Sequence, residues 1–71
     1  MIEEPSWAWF HIGATVDIKL FPPTSARFPS RVVGYYDARE NGGSYGYVLR
    51  HDPYGFIHVE PHERVIERIV R

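Results

Sequence analysis

Residues 14–20, Ala14-Thr15-Val16-Asp17-Ile18-Lys19-Leu20, alternate small or apolar with polar side chains without a break. Side chains of an extended strand point to opposite faces in turn. This stretch therefore predicts a half-buried strand with Ala14, Val16, Ile18 and Leu20 on one face and Thr15, Asp17 and Lys19 on the other. Gly13, just before it, suits a tight turn.

Three more stretches extend the pattern. Arg31 to Asp37 is rich in β-formers, with Gly34 inside it at the place of a bulge or sharp bend. Asn41-Gly42-Gly43 is a turn signal, and Tyr45 to His51 follows as a strand. Asp52-Pro53-Tyr54-Gly55 marks another turn before a fourth strand, Phe56 to Glu60. There, alternation predicts Ile57 and Val59 inward and Phe56, His58 and Glu60 outward. Phe21 to Ser30, with Pro22, Pro23 and Pro29, reads as a loop because proline cannot donate to a ladder. Val65, Ile66, Ile69 and Val70 fit one helical face as well as a strand. A single turn over Pro61 to Arg64 and then a short strand is preferred, because a fifth strand would cover the sheet edge. The expectation is an all-β, five-stranded SH3-like barrel over residues 12–71, behind an N-terminal aromatic arm over residues 1–11.

The chain has 71 residues, and a domain this small buries only roughly 60% of its unfolded surface. With no cysteine it cannot use disulfides or thiolate metal sites, which leaves self-association or another metal site as a staple and fits a reducing cytoplasm. The net charge of −1 lacks the basic excess of a duplex-DNA binder, so nucleic acid is not an expected partner. Arg27, Arg31, Arg39 and Arg50 are scattered among acidic residues and read as ordinary surface charge. Residues 1–10 carry Glu3 and Glu4 and no basic run, unlike a signal peptide. No apolar stretch approaches the ~18 residues of a membrane helix.

Several constellations suggest chemistry. Gly42-Gly43-Ser44-Tyr45-Gly46 matches the G-x-S-x-G string, but a nucleophile elbow needs a large α/β sheet, so a hairpin loop is expected. His58 and His62 are weak candidates for a metal site, since Pro61 between them disfavours one helix. Tyr35, Tyr36, Tyr45, Tyr47 and Tyr54 divide between core and a peptide-binding surface. Phe56, His58 and Glu60 form the expected interface strip, where a two-fold axis would bring His58 near its own copy, with Trp7, Trp9 and Tyr36 as further contacts.

From Phe10 to Val70 the chain resembles the plasmid-borne type II dihydrofolate reductases. The similar pieces are Phe10-x-x-Gly13-x-x-Val16, Val32-Val33-Gly34-Tyr35-Tyr36, Gly46-Tyr47-Val48, Gly55, Ile57-His58-Val59-Glu60-Pro61 and Glu67-Arg68-Ile69. The resemblance implies an SH3-like barrel in a homotetramer, with a central pore that holds NADPH and dihydrofolate together. It maps the pore onto His58, Val59, Glu60 and Lys19, with the family's Val-Gln-Ile-Tyr strand replaced by Ile57-His58-Val59-Glu60. A ring of Glu60 carboxylates would repel both anionic ligands. The first expectation is therefore a non-catalytic homo-oligomer or protein-docking module without a cofactor. The alternative is a divergent NADPH-dependent reductase. Electron-transfer accessory subunits and the β-subunit of nitrile hydratases offer docking precedents on the same broad fold.

Overall fold

A computed structural model describes residues 3–19, 29–51 and 54–68. Five strands follow in chain order: β1 (Thr15–Ile18), β2 (Ser30–Asp37), β3 (Tyr45–His51), β4 (Phe56–Pro61) and β5 (Val65–Glu67). They form one antiparallel sheet in the order β4-β3-β2-β1-β5. The sheet is not closed. β4 and β5 stand at its two ends, and among the described residues no ladder joins them, so the expected closed cylinder is reduced to an open five-stranded sheet.

The turns follow from local chemistry. Arg39–Asn41 form one 3-10 turn, ended by Gly42 at φ 77°, a left-handed conformation that favours glycine. Gly42 donates its N–H to the Arg39 carbonyl. The Asp37 carboxylate holds this turn by accepting from the Arg39 backbone N–H at 3.1 Å and from its guanidinium at 2.6 Å. A second 3-10 turn, His62–Arg64, separates β4 from β5, as the Pro61 break predicts. The tail is a strand over Val65–Glu67; Ile69 and Val70 lie outside the described residues, as does the proline-rich stretch 20–28.

The β2–β3 ladder shifts register between Val32 and Gly34, where the glycine predicted a bulge. Gly46 fixes the next ladder. It pairs with Pro61, and a Cβ at this position would overlap the Glu60 carbonyl oxygen and crowd His62 N and Pro61 Cα. Only glycine allows β3 and β4 to approach this closely. The resulting register sets Tyr47 opposite Glu60, Val48 opposite Val59, Leu49 opposite His58 and Arg50 opposite Ile57.

Val16, Val32, Tyr47, Leu49 and Val65 are fully buried and make up the core. Among the described residues, five from four strands are a thin core. Trp7, Ala8 and Phe10 from the N-terminal segment pack against it, together with Ala14, Ile18 and Tyr35. Burying a large apolar side chain contributes about 1.5–3 kcal/mol, so Trp7 and Phe10 are a substantial share of what holds this sheet. Asp17, expected to face solvent, is buried beneath Arg68, whose Nη1 donates to its Oδ1 at 3.0 Å.

Candidate functional site

Two clusters concentrate chemically capable side chains: the strand β4 at the open end of the sheet, and the contact between the N-terminal segment and the 3-10 turn before β5.

On β4 the register reverses the expected faces. Cross-strand partners share a face, so His58 and Glu60 lie on the side of buried Leu49 and Tyr47, while Ile57 and Val59 join Arg50 and Val48 on the opposite side. Ile57 is 61% exposed and Val59 58%, whereas the side chains of His58 and Glu60 are 31% and 19% exposed. The local alternation of β4 alone gave the opposite answer. The Gly46–Pro61 approach settles the phase, because sliding β4 by one residue would lose that close packing.

Glu60 lies between two basic side chains. His58 Nδ1 is 3.6 Å from Oε1, and Arg64 Nη1 is 3.8 Å from Oε2. Lys19 donates its backbone N–H to the Arg64 carbonyl at 2.7 Å, which brings the end of β1 to the same neighbourhood. Of the four pore-equivalent residues, the fold thus collects Lys19, His58 and Glu60 around Arg64 and turns Val59 away. Beside His58, a pocket of about 380 Å³ is lined by Ile18, His51, Tyr54, Phe56 and His58. Tyr54 stands between His51 at 5.7 Å and Phe56 at 6.1 Å, ring centroid to ring centroid. Phe56 is 67% exposed, as expected of it. Tyr36 sits opposite Gly46 and so belongs to the outer face with Val48 and Val59.

The second cluster is built on Tyr47. Its buried hydroxyl accepts the Trp9 backbone N–H at 3.0 Å and lies 2.8 Å from His62 Nδ1. Burial raises the pKa of this phenol above the ordinary value of 10.0, and Tyr45 and Glu4 raise it further. Tyr35 repeats the device: its hydroxyl donates to the Phe10 carbonyl at 2.7 Å, and burial raises its pKa as well. Trp7 lies edge-on to Tyr35, Tyr47 and His62 and 4.7 Å from Tyr45. Trp9 lies 4.1 Å from His62 yet remains 70% exposed. The predicted contact role of the two tryptophans is thus met first inside the chain.

Ser44, the centre of the G-x-S-x-G string, lies in a hairpin, 3.4 Å from the Tyr36 hydroxyl through its Oγ. Among the described residues no three His, Asp or Glu side chains gather as a metal site would require. His58 and His62 are on different elements, and His62 Nδ1 is engaged by Tyr47. Sequence reasoning missed two things: the exposure of Ile57 and Val59, and the partnership of Tyr47 with His62. The signal for the first was Gly46, a glycine inside a β-rich stretch that marks a close backbone approach, here to Pro61. No helix among the described residues is long and apolar enough to cross a membrane. No protein-family model, curated protein or solved structure matches the chain.

Proposed function

We propose that the chain is a non-catalytic, SH3-like β module that docks through β4, with a second copy of itself as the first partner. One observation carries this reading: Ile57 and Val59, which share the outer face of a strand at the end of the sheet, are 61% and 58% exposed. Scattered apolar residues on a surface need no explanation, but a contiguous set on an end strand does. A domain of 71 residues, which buries only a modest share of its surface, also gains from covering such a face. Self-association is favoured because the outer face of β4 is apolar and lies on an end strand, so a two-fold axis can set it against its own copy.

The test is sedimentation equilibrium of the wild-type chain beside Ile57→Asp/Val59→Asp. The wild type forms a dimer or larger assembly and the variant is monomeric with an unchanged far-ultraviolet spectrum. A wild-type monomer up to about 1 mM, weaker than any useful affinity, would end this reading.

A second reading, reduction of dihydrofolate by NADPH, is supported by the setting of Glu60. Its carboxylate charge is offset by Arg64 at 3.8 Å, and an apolar, aromatic-lined pocket adjoins the neighbouring His58. Loss of NADPH absorbance on adding dihydrofolate supports this reading; no loss at high protein concentration opposes it.

A further inference from the structure

The hydroxyl of Tyr47 carries one proton and has two neighbours. The Trp9 backbone N–H donates to the oxygen at 3.0 Å. Burial keeps the phenol protonated, so its single hydrogen goes to the remaining neighbour, Nδ1 of His62 at 2.8 Å. A relay results: Trp9 N–H to Tyr47 O–H to His62 Nδ1. It holds only while Nδ1 offers a lone pair, which requires a neutral imidazole with its proton on Nε2.

The rest of the cluster converges on the same ring. Tyr45 and Tyr47 stack on His62 at 5.5 Å with interplanar angles of 27° and 28°. Trp7 meets it edge-on at 5.5 Å and Trp9 at 4.1 Å. Both tryptophans of the chain lie in residues 3–11. His62 is therefore one of the points where the N-terminal segment is fastened to the sheet, beside the Tyr35 hydroxyl on the Phe10 carbonyl and the packing of Trp7.

We propose that neutral His62 is the latch of the N-terminal arm, and that protonating it releases residues 3–11 from the core. A proton on Nδ1 turns the acceptor into a donor that faces the Tyr47 O–H. The hydroxyl hydrogen must then turn away, and Tyr47 has no other acceptor among the described residues. A buried donor left unpaired costs more than an ordinary hydrogen bond gains. Two tryptophans and two tyrosines would attract an imidazolium through their ring faces, which works against release. Release gives up the Trp7 and Trp9 contacts, so this attraction opposes it, and the loss of the relay has to outweigh it for the arm to leave.

The charged groups around the ring do not substitute for the lost acceptor. Glu63 shares a small cleft with His62, Ser44, Tyr45 and Pro61, and it is exposed. Arg39 lies over the Tyr45 ring at 4.5 Å and is matched by Asp37. Glu60, opposite Tyr47, is held near Arg64 and His58. Glu4 on the arm is paired with His11 at 2.8 Å. That last pair lies within the arm, so it moves with it. Release would uncover Tyr47 and the part of the core under Trp7, Ala8 and Phe10, and would remove one wall of the groove of about 630 Å³ between Trp9, Phe10 and β5.

Because both tryptophans are on the arm, their emission reads its position directly. The full chain is compared at pH 8 and pH 5, a range in which a histidine changes charge. The readouts are emission wavelength and acrylamide quenching, since a charged imidazole dims tryptophan without moving it. Wild type shows a red shift and about twofold stronger quenching at pH 5 with the far-ultraviolet spectrum retained, while His62→Gln, which cannot take up the proton, gives the same emission at both values. His11→Gln and His58→Gln keep the wild-type response. Unchanged wild-type emission, or a response undiminished in His62→Gln, overturns the proposal. Should His62→Gln fail to fold, nitrogen-15 shifts of the wild-type imidazole decide: an Nε2–H tautomer at pH 8 supports the latch, and an Nδ1–H tautomer overturns it.

Discussion

The two aromatic-rich regions of this chain are built from similar residues and treated in opposite ways. Around Tyr47 the rings of Trp7, Tyr35, Tyr45 and His62 each have several ring neighbours, and the hydroxyls of Tyr35 and Tyr47 are tied to the backbone of the N-terminal segment. Along β4, Tyr54 and Phe56 touch mainly each other and His51, and Ile57 and Val59 stand open. Aromatic content therefore does not mark a binding surface in a small domain. Rings that complete the core are consumed by the fold, and the residues left for a partner are those that the register turns away from it.

The contrast can be broken most forcefully from the closed side. Trp7→Ala removes a ring that packs on Tyr35, Tyr45, Tyr47 and His62 and should cost about 3 kcal/mol in urea unfolding. A loss below about 1 kcal/mol would mean that the segment is an accessory. Gly46→Ala acts on both regions through the β3–β4 approach. It should cost about 2–3 kcal/mol, as overpacking does, and should also weaken any self-association.

Tyr47→Phe keeps the ring and removes the hydroxyl, leaving the Trp9 N–H and His62 without their partner, at about 1–2 kcal/mol. It also sharpens the pH behaviour. Folding raises the pKa of Tyr35 and Tyr47, so their contribution is complete below the unfolded phenol value of about 10 and is lost as pH rises through the higher folded values. Wild-type stability should fall in alkali, and Tyr47→Phe should flatten that fall. On the open side, Ile57→Ser and Val59→Ser should leave monomer stability within about 0.5 kcal/mol, since neither is buried. Their effect belongs in sedimentation. The smallest change is expected at Asp37, whose carboxyl is drawn down to about 2, chiefly by its hydrogen bond from Arg39. This fully exposed pair is complete above the ordinary carboxylate range and is lost only as pH falls through about 2. Asp37→Asn should therefore leave the unfolding midpoint nearly unchanged at neutral pH.

Strand positions were legible because their signals are local. The alternation beginning at Ala14 located β1, Asn41-Gly42-Gly43 located the turn before β3, and Pro61 located the break before β5. The face that β4 presents was not legible, and this is the part that bears on function. Ile57 and Val59 alternate with His58 and Glu60 as an inward apolar row would, yet the neighbouring strand holds them outside. The closed cluster was hidden for a related reason: Tyr47 and His62 meet across 15 positions, and Trp9 reaches Tyr47 across 38.

By itself the sequence determined a small, cysteine-free, aromatic-rich chain and approximately where its strands lie, with the tail open between helix and strand. Tertiary structure alone decided which of those aromatics are spent inside and which face of β4 stays open. The reason is physical: a strand's pleat fixes which residues share a side, but only the contact with its neighbour decides which side is in.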